Sequence, residues 1–331
     1  MAALDKWNDF LGKWARAVSA CGIPADFVVG SRVNSIELEF NGYSYLFRYC
    51  ETPGYSKRAE LMNKQKQEAD ERKRQGIGQR WKNDGGMCFL CDNVGQAIDA
   101  QGNPKIADNL IYDRVDYLIL PNKYPSFIGH SLLIPKEHDD ETRRVKPIDG
   151  EYKPEAGKTR GAIFTPEYLE VMVSASIDFG LVGTSNHVLN GMSIPRHKHF
   201  HVFPEDLDLF NIEHILGRKT EIADRVYKSD ATPFDILILC YGHSDKLIER
   251  ASVLLKNMEE DNQVFNLFYK SRLGVGYLFV SSLKNGAAIT RNVAVGGGIS
   301  FNAVDKIDEG YLKKVMENVP LKGEYDWGRY L

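Results

Sequence analysis

Histidine takes three strictly alternate positions in the decapeptide PRHKHFHVFP, residues 195–204: His197, His199 and His201. Only an extended chain puts such a set on one side. Side chains of a strand alternate faces with a period of two, whereas a helix would send His199 to the side opposite its two neighbours. The segment is therefore expected to be a strand with its imidazoles in a row about 7 Å apart, and with Lys198, Phe200 and Val202 on the other face. A row of surface histidines and a plain metal-binding ladder are the bland alternatives. Against the first stands the preceding loop GMSIPR, whose backbone N–H groups and Ser193 hydroxyl suit a phosphate.

Composition excludes several classes. A chain of 331 residues, 43% hydrophobic and 26% charged, has material for one large or two ordinary domains and needs no disulfide scaffold. A formal charge of -3 gives no global field favouring nucleic acid or an anionic membrane. No nucleic-acid partner is expected, and any anionic ligand must be captured locally. No apolar run approaches the roughly 20 residues of a membrane-spanning helix. The start MAALDKWNDF has neither a signal nor a transit pattern, so a cytoplasmic protein without membrane contact is expected. Of five cysteines, Cys21, Cys50 and Cys240 read as small buried hydrophobes; only Cys88 and Cys91 form a pattern.

The order of elements points to an α+β chain. Residues 3–20 carry an amphipathic helical pattern, and ELEF-NG-YSYLFRY over 37–49 is a hairpin signal turning at Asn41-Gly42. The charged stretch 56–81 reads as a solvated helix or an arm, with Arg72, Lys73, Arg74 and Arg80 as the phosphate-facing alternative. DRVDYLILPN (113–122) and HSLLIP (130–135) predict two strands joined by a turn with Pro125 and Gly129; 139–162 reads as a long loop. Thr165 and Pro166 open a helix carrying Tyr168, Leu169, Met172, Ala175, Ser176 and Phe179 on one face. A second helix starts at Ser244 with Leu247, Ile248, Ala251, Leu254, Leu255 and Met258 in its stripe, followed by the strand runs QVFNLFYK and VGYLFVSSL. The late strand-turn-strand unit loosely repeats the one at 113–135. That suggests a duplicated module in a mostly antiparallel sheet flanked by helices, the halves being 1–232 and 233–331.

Two thiolates at CxxC spacing, Cys88 and Cys91, need two further ligands for a tetrahedral zinc site. His138 in IPKEH and His197 would complete a Cys2His2 set, leaving His199 and His201 for chemistry.

CFLC (88–91), NKYPSFIGHSLLIPKEH (122–138), Asn186 and HKHFH (197–201) together resemble the histidine triad superfamily, in its galactose-1-phosphate uridylyltransferase and diadenosine tetraphosphate phosphorylase (ATP adenylyltransferase) branches. The resemblance covers about residues 25–285 and implies a duplicated, half-barrel-like sheet module with a degenerate second half. It implies that His199 is the nucleophile, attacking the α-phosphorus of a nucleotide to form a covalent nucleotidyl-histidine that an acceptor then takes over. A largely neutral imidazole suits that role. It further implies a structural zinc on Cys88, Cys91, His138 and His197. Phe89 would stack on the base, Asn122 would contact base or ribose, and Asn186 and Ser193 would bond the phosphates, with Lys198 beside them. Nothing in it excludes a homodimer.

Those branches carry Gln where this chain has His201, and the hydrolase branch carries His. An amide holds the intermediate without titrating, while a histidine also donates a proton to the leaving group. Three functions stay open on the sequence: nucleotidyl transfer or phosphorolysis of a dinucleoside polyphosphate or nucleoside-diphosphate sugar, hydrolysis through the same histidine, and non-catalytic nucleotide or RNA binding. His130 reads as an orienting or packing residue with metal or phosphate ligation as its alternative. Lys270 and Arg272 are candidates for a second phosphate, and Gly296-Gly297-Gly298 reads as a turn.

Overall fold

The hairpin expected at Asn41-Gly42 forms. Strand β1 (Arg32–Phe40) pairs antiparallel with β2 (Tyr43–Glu51), Phe40 opposite Tyr43. Gly42 sits at φ +77°, a value open to glycine because it has no Cβ to clash. The computed structural model describes residues 2–20, 32–40, 42–51, 110–122, 125, 128–135, 164–186, 199–205, 212–232, 234–261, 263–283, 298–300 and 325–331, with isolated positions 67, 310 and 323.

Ten strands build one antiparallel sheet. In chain order they are β3 (Tyr112–Asp113), β4 (Tyr117–Pro121), β5 (Ser131–Pro135), β6 (Leu181–Asn186), β7 (Phe200–Pro204), β8 (Lys219–Ala223), β9 (Val226–Ser229), β10 (Ile236–Tyr241), β11 (Val264–Arg272) and β12 (Val275–Leu283). Their spatial order is β3-β4-β5-β7-β6-β11-β12-β10-β9-β8. A separate three-stranded sheet joins β13 (Gly298–Ser300) in parallel to β2 of the first hairpin. The described helices are α1 (Ala2–Ala20), α2 (Pro166–Phe179), the short α3 (Ile212–Gly217) and α4 (Ser244–Glu260). The α+β class and the antiparallel sheet agree with the sequence. The sheet runs unbroken past residue 232, and β8 and β9 pair on the β10 side of it.

One face of the sheet meets the helices. Phe10, Trp14 and Ala17 of α1, Leu169, Met172 and Val173 of α2, and Leu247, Leu254, Leu255 and Met258 of α4 share a core with Ile119, Leu133, Phe200, Val202, Phe265, Leu267, Leu278 and Val280 of the strands. Alternation turns the neighbours of these strand residues to the opposite face. There Ile134, Val182, Phe203, Phe268, Phe279, Ile236 and Ile238 are buried as well. Gly183 keeps α2 close to β6: a Cβ at this position would stand 2.7 Å from Met172 Cγ.

Two local readings are refined. Thr165 is the N-cap of α2, yet its hydroxyl makes no capping bond; it bonds instead to Glu167, whose carboxyl is held below its ordinary value mainly by that bond. The turn between β11 and β12 is Leu273-Gly274, with φ +50° and +77°. A two-residue turn with both φ positive prefers Asn-Gly, and Leu273 is 94% exposed, so its side chain gains nothing from packing there. Leu273→Asn is expected to raise stability by about 0.5–1 kcal/mol, read as a higher midpoint in urea with an unchanged slope.

Candidate active site

Within the described part of the histidine segment, the strand begins at Phe200. His201 lies in β7 and His199 directly precedes it. Leu132 of β5 and Thr184 of β6 flank His201 in register. Because Phe200 and Val202 belong to the helix-side core, His199, His201 and Phe203 take the other face. The two imidazoles are 5.6 Å apart between centroids, edge to face at 66°.

Two further residues close the cluster. His130, the residue before β5, brings Nε2 to 3.0 Å from His201 Nδ1. Asn122, the residue after β4, brings Nδ2 to 3.2 Å from His130 Nε2 and 3.5 Å from His201 Nδ1. Backbone bonds set this geometry: the His130 carbonyl accepts from the Asn122 N–H at 3.1 Å and from the Trp14 indole N–H at 3.3 Å, tying the turn to α1. The His130 ring also packs edge-on against Phe203, 6.2 Å between centroids. Two ring nitrogens 3.0 Å apart need one proton between them, so His130 and His201 cannot both point a lone pair, or both point an N–H, at each other. The Asn122 amide nitrogen, which only donates, faces His130 Nε2, so His130 Nε2 accepts and the proton between the two rings belongs to His201 Nδ1, leaving His201 Nε2 as the nitrogen that takes up or returns a proton.

His199 is 3% and His130 6% exposed, while His201 is half-buried and the most open of the three. His130 thus holds the orienting role read from sequence, on a specific partner the sequence did not name. The signal for it was the histidine standing one residue before an apolar strand on the histidine face.

Of the expected site residues the structure brings together Asn122, His199 and His201. Asn186 ends β6, in register with Asn266 of β11; its side chain lies outside the described set. Phe89, Ser193, Lys198, Cys88, Cys91, His138 and His197 lie outside the described residues altogether. Among the described residues, no group of three or more histidine, cysteine or acidic side chains is placed to hold a metal. Lys270 and Arg272 do not stand ready for a phosphate: Lys270 pairs with Glu205 at 3.1 Å and Arg272 with Glu213. Cys240 is a free, half-buried thiol rather than a fully buried one. Among the described residues, no helix is long and apolar enough to cross a membrane.

An antiparallel sheet with helices on one face and a histidine–asparagine cluster on the other defines the class of site. Among solved structures, yeast Ap4A phosphorylase Apa2 in complex with AMP matches with a TM-score of 0.52, covering 96% of this chain and 98% of that one at 13% identity. The same enzyme in complex with Ap4A matches with a TM-score of 0.50, covering 95% and 93% at 12% identity. The chain therefore has the fold of that phosphorylase, in agreement with the branch its motifs resemble. No protein-family model and no curated protein matches the sequence.

Proposed function

We propose that the chain is a nucleotidyltransferase or phosphorylase acting on a dinucleoside polyphosphate or nucleoside-diphosphate sugar through a covalent nucleotide on His199. The observation that carries this is the cluster of Asn122, His130, His199 and His201 on one face of a sheet with the phosphorylase fold. The neighbours are named for complexes with AMP and Ap4A, which supports a nucleotide as the substrate.

In the first step a ring nitrogen of His199 attacks the α-phosphorus and a P–N bond forms. The bond from that phosphorus to the bridging oxygen breaks, and the leaving oxygen takes the electron pair and a proton from His201. In the second step an oxygen of inorganic phosphate or a sugar phosphate attacks the same phosphorus and gives its proton to His201, the P–N bond breaks with its electron pair returning to the His199 nitrogen, and both histidines are restored. Hydrolysis, with water as acceptor, is the second reading, and a histidine rather than an amide at position 201 favours it.

Sheet topology supports the duplicated module. The series β3-β4-β5-α2-β6-β7 recurs as β8-β9-β10-α4-β11-β12, and from the β6–β11 contact outward the strands run β6-β7-β5-β4-β3 on one side and β11-β12-β10-β9-β8 on the other. The halves then divide between Pro204 and Lys219, ahead of the boundary at 232/233. In β12, the counterpart of β7, no histidine occurs, as a degenerate second half requires.

The test is incubation with α-phosphorus-labelled ATP, GTP or nucleotide sugars, followed by denaturation. Label that stays on the protein, survives base and leaves in acid supports the proposal. No trapped label and no turnover with any nucleotide would favour a binding protein. Zinc on Cys88, Cys91, His138 and His197 belongs to the same proposal, as a structural tether. About one zinc per chain is expected by metal analysis, falling to near zero in Cys88→Ser together with a lower melting temperature.

A further inference from the structure

Past the histidines, the same face of the sheet continues into the second half of the chain. There Phe268 and Phe279 pack edge to face, 5.6 Å between centroids, beside Ile236 and Ile238, and all four are fully buried. One row interrupts this apolar surface. Asn266 of β11 and Ser281 of β12 stand opposite each other in register, 1% and 0% exposed. On its other side Asn266 pairs with Asn186 of β6. The β6–β7 ladder ends with Thr184 opposite His201; Asn186 follows Thr184 by two residues in β6, and His199 directly precedes β7 at the same end of the ladder. The polar row therefore starts at the His199 end of the site and crosses β6, β11 and β12. From β7 to β11 it spans two strand spacings, about 10 Å.

The row differs chemically from the rest of the strand. VFNLFYK holds buried apolar residues on either side of Asn266, and a β-branched or aromatic residue would suit a buried strand position better than an amide. The cations of the same strand are drawn off at its other end: Lys270 lies four residues further on and is paired with Glu205. The Ser281 hydroxyl donates to the Ser282 carbonyl at 3.4 Å, so toward a neighbour it offers oxygen lone pairs. An amide beside a hydroxyl oxygen, with no cation placed beside them among the described residues, recognises uncharged hydroxyl groups better than phosphate oxygens. Asn122 lies on the opposite flank of the histidines, across β5 and β4.

We propose that Asn266, supported by Ser281, is a specificity-determining residue of the His199 site, holding a sugar hydroxyl of the substrate portion that lies across the scissile phosphate from Asn122. It extends the function proposed above and rests on it. The second half of the chain thereby contributes to the site in the first, although its own counterpart of the histidine strand carries no histidine.

The test compares Asn266→Asp and Ser281→Ala with the unaltered chain. Substrates share one nucleotidyl group and differ in what it leaves from: a nucleoside triphosphate, a nucleoside-diphosphate sugar and a dinucleoside polyphosphate. For the substrate with a sugar beyond the diphosphate, Asn266→Asp is expected to lower kcat/KM by about 10- to 100-fold, mainly through KM. The triphosphate, which has no sugar there, should change by less than about threefold. Ser281→Ala removes one oxygen without changing the fold and should shift the ranking the same way, less strongly. Equal losses across all substrates, or none, would show that Asn266 is a core amide and overturn the proposal while leaving His199 in its role. If the unaltered chain turns over no nucleotide at all, the parent function fails and this inference with it.

Discussion

His199→Ala is expected to abolish the acid-labile nucleotide label and to lower turnover by a factor on the order of 10³ or more, with the melting temperature reporting separately on the fold. The expectation comes from the site's geometry as much as from its resemblance. His201 is engaged through Nδ1 with His130 at 3.0 Å and with Asn122 at 3.5 Å, which fixes its ring and commits one nitrogen. His199 stands 5.6 Å from it between centroids, with its ring across that of His201 rather than along it. Replacing His199 therefore removes the attacking nitrogen and leaves the His130–His201–Asn122 network in place. Mass spectrometry of the denatured protein reads the outcome directly. A full label on the alanine variant would move the nucleophile elsewhere and sink the mechanism; loss of label with loss of folding would call for His199→Asn, which retains a polar group in the same volume.

Local elements were legible in the sequence because their signals are local. Asn41-Gly42, the stripe from Tyr168 to Phe179 and the stripe from Leu247 to Met258 each announce a hairpin or a helix within a few residues, and each forms. The hairpin of β8 and β9 was not legible: β8 is a half-exposed edge strand, KTEIA, whose charges and small residues give no apolar alternation. The order of the ten strands was not legible either, since it depends on pairings such as β6 with β11 between residues some 80 positions apart. The same limit applies to the site. The alternation of His199 and His201 is written in five residues. The partnership of His130 with His201 exists only because β5 and β7 are neighbours. Asn266 was the quieter signal, a single amide inside an apolar run, and only the register shows that it shares a row leading to His199. The roles expected of Cys88, Phe89, Cys91, His138, Ser193, His197 and Lys198 come from the motifs and the family they resemble, and these residues lie outside the described ones.

In the proposed mechanism His201 decides the fate of the intermediate, and two substitutions separate its two nitrogens. Asparagine places its amide near where Nδ1 stood, so His201→Asn keeps a polar atom facing His130 and loses the far edge of the ring. Glutamine reaches to the position of Nε2, so His201→Gln keeps a hydrogen bond at the phosphate and loses the 3.0 Å contact with His130. The amide in either variant has no proton to give to a leaving group or to take from water. His201→Gln is therefore expected to retain the label on His199, to slow its loss to water by about 10- to 100-fold, and to pass it to phosphate or a sugar phosphate in higher proportion than the unaltered chain does. His201→Asn should instead label poorly with every nucleotide, because nothing then contacts the phosphate from this strand position. Product analysis with water and acceptors in competition measures the ratio. Loss of label in His201→Gln together with retained label in His201→Asn would mean that the contact with His130, rather than the phosphate edge of the ring, is what the site requires of His201.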